Sequence, residues 1–159
     1  MDKTQAFAIL AAVPEIHLLS GVETIAKLKD ESSDEVKIAF GSMAFELFRQ
    51  IDQLRNNKAV EMFIYASNPA GDQPLNSKVS WQGLYIGHSP SRNGRYSGKA
   101  RFRPPSTATD KPTWAIFWEL QELHPLSSPI AIASLKGLGK KSNLTSRFIP
   151  EDPLLIEYL

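Results

Sequence analysis

"VEMFIYAS", Val60–Ser67, divides the chain into two textures. Val60, Phe63, Ile64 and Tyr65 are residues that suit a pleated, buried surface. The run leads into Asn68-Pro69, with Gly71-Asp72 close behind, which reads as a turn. Further runs of the same kind follow: "VSWQGLYIG" (Val79–Gly87), "GKARFR" (Gly98–Arg103), "TWAIFWEL" (Thr113–Leu120), "PIAIASL" (Pro129–Leu135) and "PLLIEYL" (Pro153–Leu159). Clusters of Gly, Pro, Ser and Asn separate them. Six short strands with no long helix between them predict an antiparallel or mixed sheet closed into a small β-barrel, because closure hides the strand edges.

Upstream of Val60 the sequence reads as helix. "TQAFAILAAV" (Thr4–Val13) is Ala-rich and stops at Pro14. Ser20 with Glu23 forms a capping-box pattern, and Ser32 with Glu35 repeats it before a longer segment spanning 34–56. In that segment Val36, Phe40, Met43, Leu47, Ile51 and Leu54 recur at spacings of three and four, marking one apolar helix face. Ala39, Ala44 and Phe48 widen it. The expected class is therefore α+β: an N-terminal helical segment, 1–58, packed on a β-barrel, 59–159. The apolar face either packs on the barrel of a monomer, which is the expectation, or makes a homodimer. Phe45, off the main stripe, keeps the second option open.

The chain has 159 residues, 42% hydrophobic and 22% charged, as an ordinary globular domain does. There is no apolar run near 18 residues and no signal-peptide pattern, so no membrane insertion is expected and the cytoplasm is the expected compartment. The absence of Cys removes disulfides, thiolate nucleophiles and Cys-type zinc sites. Net charge is +1, which alone argues neither for nor against nucleic acid. Its distribution says more: Arg92, Arg95, Lys99, Arg101, Arg103 and Lys111 cluster against a single acid, Asp110.

"MFIYASNP", then "GLYIGH", then a Gly- and Arg-bearing segment, then "WAIFWELQELHPLSSPIAIASLKGLG" resemble the PUA-like superfamily over residues 60–159. The EVE branch is the nearest in feel, with ASCH and YTH as cousins. Phe63–Pro69 matches the apolar opening strand that ends in a polar residue and Pro, and Pro129–Lys136 matches the later "PI" strand and Leu-Lys turn. The resemblance implies a small barrel that binds RNA or a modified base, often in an aromatic pocket.

The residues themselves suggest where. Read as a strand, "SGKARFR" puts Lys99, Arg101 and Arg103 on one side and Gly98, Ala100 and Phe102 on the other. Such a stripe rises about 6–7 Å per step, close to the separation of successive phosphates; it is equally what a solvated outer face looks like. Trp81, Tyr85, Tyr96 and Trp114, with Trp118, lie on the surrounding strands and would either stack bases or fill the core. Arg92 and Arg95 extend the cationic segment, and Lys136, Lys140, Lys141 and Arg147 offer a second basic rim. His17, His88 and His124 show no metal-ligand spacing, and "GHSPSRNG" lacks a nucleophile elbow, so no cofactor, metal or catalytic residue is assigned. The leading expectation is non-catalytic nucleic-acid binding. A protein-interaction or assembly module built on the 34–56 helix competes with it, and a hydrolase is third.

Overall fold

Strands from both sides of residue 58 share one sheet. The computed structural model describes residues 2–67, 78–109, 113–145 and 152–159. In chain order the elements are β1 (Ala8–Pro14), α1 (Glu15–Asp30), β2 (Ile38–Ser42), α2 (Phe45–Leu54), β3 (Val60–Ser67), β4 (Lys78–Arg92), β5 (Arg95–Tyr96), β6 (Ile116–Ala131) and β7 (Leu154–Ile156). Short 3-10 turns occupy Ala100–Phe102, Pro105–Thr109 and Ile132–Ser134. The expected turn at Asn68-Pro69 and Gly71-Asp72 lies outside the described residues, as do Asp110, Lys111 and Arg147.

The sheet order is β2-β6-β4-β3-β1-β7, with β5 pairing only β4. This is an open path, and among the described residues no pairing joins β2 to β7. The class is α+β, but the expected barrel is replaced by an open sheet whose edges are covered differently. Arg103 Nη1 donates to Ala39 O at 2.8 Å on the β2 side. On the β7 side Leu138 N donates to Leu155 O and Glu157 N to Lys136 O. Loops thus satisfy edge groups that closure would otherwise have hidden.

Two helical expectations are corrected. "AILAAVP" is not helix but β1, parallel to β3 in the register Ile9↔Met62 and antiparallel to β7 in the register Ile9↔Leu155. Ala8, Ile9 and Leu10 are fully buried. A strand covered on both faces loses the polar alternation that would distinguish it from a helix, and its small alanines leave room for what packs above and below. The 34–56 helix is likewise two elements, β2 and α2, joined by a turn. Ile38 and Phe40 enter the core at a strand's spacing of two, Phe48 and Ile51 at a helix's spacing of three, and the sum imitates one long helical stripe. Met43, between them, is 58% exposed. The assembly face inferred from that stripe therefore does not exist as one surface, because Phe40 and Ile51 are interior. At the start of the chain α1 runs from Glu15 straight through Ser20, whose carbonyl accepts from Thr24 Oγ1 at 2.8 Å.

The core lies on both faces of the sheet. On one face Leu18 and Ile25 of α1 and Phe48 and Ile51 of α2 pack on Ile9, Ala11, Met62, Ile64 and Trp118. On the other, Ile132 and Leu135 cover Ala8, Leu10, Phe63, Tyr65 and Ile156. β4 and β6 run antiparallel for most of their length, with register shifts at Val79/Trp81, Gln82/Leu84 and Tyr85/Gly87. The first of these places Val79 in one core and Trp81 in the other. No helix among the described residues is long and apolar enough to cross a membrane.

Candidate nucleic-acid interface

β4 extends past the main sheet and turns back at Asn93-Gly94 into β5, with Ser91 opposite Tyr96 and Arg92 opposite Arg95. Asn93 (φ 55°) and Gly94 (φ 80°) both take the left-handed conformation that a two-residue type I′ hairpin needs. The Asn-Gly pair is the signal in the sequence for this hairpin. Directly opposed residues of an antiparallel pair project to the same side, so two exposed guanidinium side chains share the hairpin tip. Among the described residues neither makes an ion pair. Opposed like charges destabilise such a pair by roughly 0.2–1 kcal/mol.

Beyond Tyr96 the alternating stripe is corrected. Gly98–Arg103 is not a strand: Phe102 N donates to Lys99 O and Arg103 N to Ala100 O, both at 3.0 Å, forming a 3-10 turn. The turn drives Phe102 into the core, beneath Lys37 Nζ and the Arg101 guanidinium, each 5.2 Å from the ring centre. Pro104-Pro105 then supports a second turn, in which Thr107 bonds Pro104 O through both its amide and its hydroxyl. Lys99 and Arg101 stay exposed. Arg103 does not join them: it is half-buried, held by Ala39 O, and its guanidinium lies 4.9 Å over the Phe117 ring.

The hairpin, the turn and the start of β6 enclose a cleft of about 390 Å³. Arg95, Tyr96, Arg103 and Trp114 of the anticipated site line it, together with Phe117 and Gly98. Tyr96 is fixed from three sides. Its hydroxyl donates to Glu119 Oε2, its ring packs 5.4 Å from Phe117, and Gly98 fits against it so closely that a Cβ there would come 2.4 Å from Tyr96 Cζ. Burial, then the bond to Glu119, pushes the phenol's pKa well above the ordinary tyrosine value, so it remains a neutral donor. Glu119 in turn meets Lys37 Nζ at 3.2 Å. Trp114 lies over Gly41 of β2, and its Nε1 is enclosed with no hydrogen-bond partner among the described residues.

Trp81 and Tyr85 do not belong to this surface; both are core residues, as is Trp118. Tyr85 instead joins a polar cluster that no spacing in the sequence announces. Its hydroxyl donates to Asp52 Oδ1 at 2.7 Å, Arg55 Nε donates to the same oxygen at 2.8 Å, and His88 Nδ1 meets Asp52 Oδ2 at 2.7 Å. Burial raises the Asp52 pKa. Hydrogen bonds from His88 and Tyr85, the charge of His88 and the bond from Arg55 together outweigh that effect and hold the carboxyl below its ordinary value. Burial and then Asp52 push the Tyr85 phenol far upward. Asp52 and His88 are 36 residues apart on different elements, so no local spacing links them.

Comparison of the chain with protein-family models, curated proteins and solved structures returns no match.

Proposed function

We propose that the protein binds single-stranded RNA without altering it chemically, and that the Arg92–Arg95 hairpin and the Trp114 cleft form the contact surface. The observation that carries this reading is the opposition of Arg92 and Arg95, neither in an ion pair among the described residues, beside an aromatic-lined cleft. Like charges at directly opposed positions disfavour the folded hairpin, whereas a phosphodiester bound by both would relieve the repulsion. The cleft beside them has the size and lining to take a base against Trp114, and base–aromatic stacking contributes about 1–3 kcal/mol per base. Arg101 and Lys99, exposed on the adjoining turn, extend the positive surface. Kinship with PUA-like domains is part of the same proposal and rests on the motif resemblance at Phe63–Pro69 and Pro129–Lys136.

Titration of a labelled oligouridine across salt tests the reading. Binding should weaken with a log–log slope near −0.7 per phosphate neutralised. Arg92→Ala/Arg95→Ala should flatten that slope by about 1–2 units, and Trp114→Phe should lower affinity at unchanged slope. Tighter binding to oligothymidine than to oligouridine would move the assignment to DNA. Failure to bind either strand at low salt would overturn it.

A further inference from the structure

The turn at Ala100–Phe102, with Arg103 behind it, is a saddle between two clefts. On one side is the Trp114 cleft; on the other is a second, of about 200 Å³, walled by Lys27, Glu31, Arg101 and Pro105. Ala100 and Arg103 line both. The second cleft brings in a part of the molecule that nothing so far has connected with ligand, the last turn of α1.

We infer that a bound RNA strand crosses this saddle, and that Lys27 and Arg101 hold the phosphodiester on its far side. The inference rests on the RNA-binding reading and extends it to a defined path. Lys27 and Arg101 are both exposed, and among the described residues neither forms an ion pair. The Arg101 guanidinium lies 5.2 Å from the Phe102 ring centre, on the saddle itself. Arg103 is bound to Ala39 O and Phe117 on the strand side, where it supports the saddle from below.

Glu31 shares the wall and opposes an anion. The C-terminal end of α1, the negative end of its dipole, opposes it as well. Lys27 and Arg101 must exceed both, which gives the path a test of sign: removing the acid should tighten binding, and removing either cation should loosen it. A nucleotide that fills only the Trp114 cleft should be indifferent to all three changes.

The experiment compares uridine monophosphate with an octameric oligouridine on the wild type, Lys27→Ala, Arg101→Ala and Glu31→Gln, with Arg95→Ala as the reference. For the octamer, Lys27→Ala and Arg101→Ala should each weaken binding roughly 2–5-fold, the range of a surface ion pair, and flatten the salt slope by about 0.7. Glu31→Gln should strengthen it by a similar factor. Monophosphate affinity should change only with Arg95→Ala. Thermal melting confirms that each exposed-residue variant is folded. Octamer binding that responds to Arg95→Ala but is unmoved by Lys27→Ala, Arg101→Ala and Glu31→Gln removes the path and leaves the RNA-binding reading standing. Loss of all binding by the wild type removes both.

Discussion

Asp52 Oδ2 lies 2.7 Å from His88 Nδ1, and this contact fastens α2 to β4. Phe48 packs on Tyr85 and His88 directly beneath it, so the polar clasp and the apolar seam lie on the same line. Asp52→Asn should cost about 1–3 kcal/mol at neutral pH, as expected for charge-assisted bonds in a partly enclosed site. The folded-state pKa of Asp52 is lowered from its ordinary value of 3.8. Its contribution is therefore complete above that value and is lost as pH falls below it, through the folded-state pKa. Denaturant titrations from neutral to acid pH should show wild type and Asp52→Asn converging on the acid side of 3.8. A gap that stays constant down to the most acid point would mean that the carboxylate's charge contributes nothing.

Gly41 permits the Trp114 ring to lie against β2. A Cβ at this position would come 2.3 Å from Trp114 Cγ, far inside contact distance. Gly41→Ala should displace the indole at a cost of about 1–3 kcal/mol, the usual range for overpacking. A shift in tryptophan emission should accompany the loss of stability. An unchanged spectrum with unchanged stability would place the ring elsewhere.

Ile51 and Met43 share one helical spacing in the sequence, yet one is fully buried and the other mostly exposed. Ile51→Ala should cost about 2–5 kcal/mol. Met43→Ala should stay within about 0.5 kcal/mol. Chemical denaturation of the two variants distinguishes a strand-turn-helix from a continuous helix, in which both changes would be comparably harmful.

Arg101 and Arg103 would be equivalent on a regular strand. Arg103→Ala removes the bond to Ala39 O and the contact with Phe117, and should cost about 1–3 kcal/mol of folding stability. Arg101→Ala should leave stability within about 0.5 kcal/mol of wild type. Equal effects from the two would restore the alternating stripe.

The parts of the fold that could be read from residues alone were those with a strong local signal. β3 and the front of β6 are long apolar runs bounded by turn residues, and each is a strand in the interior of the sheet. The failures share a physical cause: local spacing was imposed by tertiary surroundings. Phe40 and Ile51 keep a helical interval only because a strand and a helix deliver them to the same core. Lys99, Arg101 and Arg103 alternate in sequence, but a 3-10 turn at Ala100–Phe102 buries Phe102 and separates the three cations. Of the anticipated binding residues, Arg95, Tyr96, Arg103 and Trp114 meet in one cleft although no interval among them predicts it. Trp81 and Tyr85 are core, and telling a stacking ring from a buried one requires knowledge of which face each strand turns inward.

The position of β1 between β3 and β7 sets an order on the birth of the molecule. β1 is synthesised before the other described strands of its sheet, yet Ile9 finds Met62 on one side and Leu155 on the other. A growing chain therefore carries Ala8–Ala11 as an unsatisfied apolar ribbon until β3 has emerged, and keeps one flank bare until Leu154–Ile156 has been made. Pairings this distant along the chain form slowly. A translation arrest ahead of Leu154 would leave an edge suited to capture by a holdase chaperone or by the same strand of a neighbouring nascent chain.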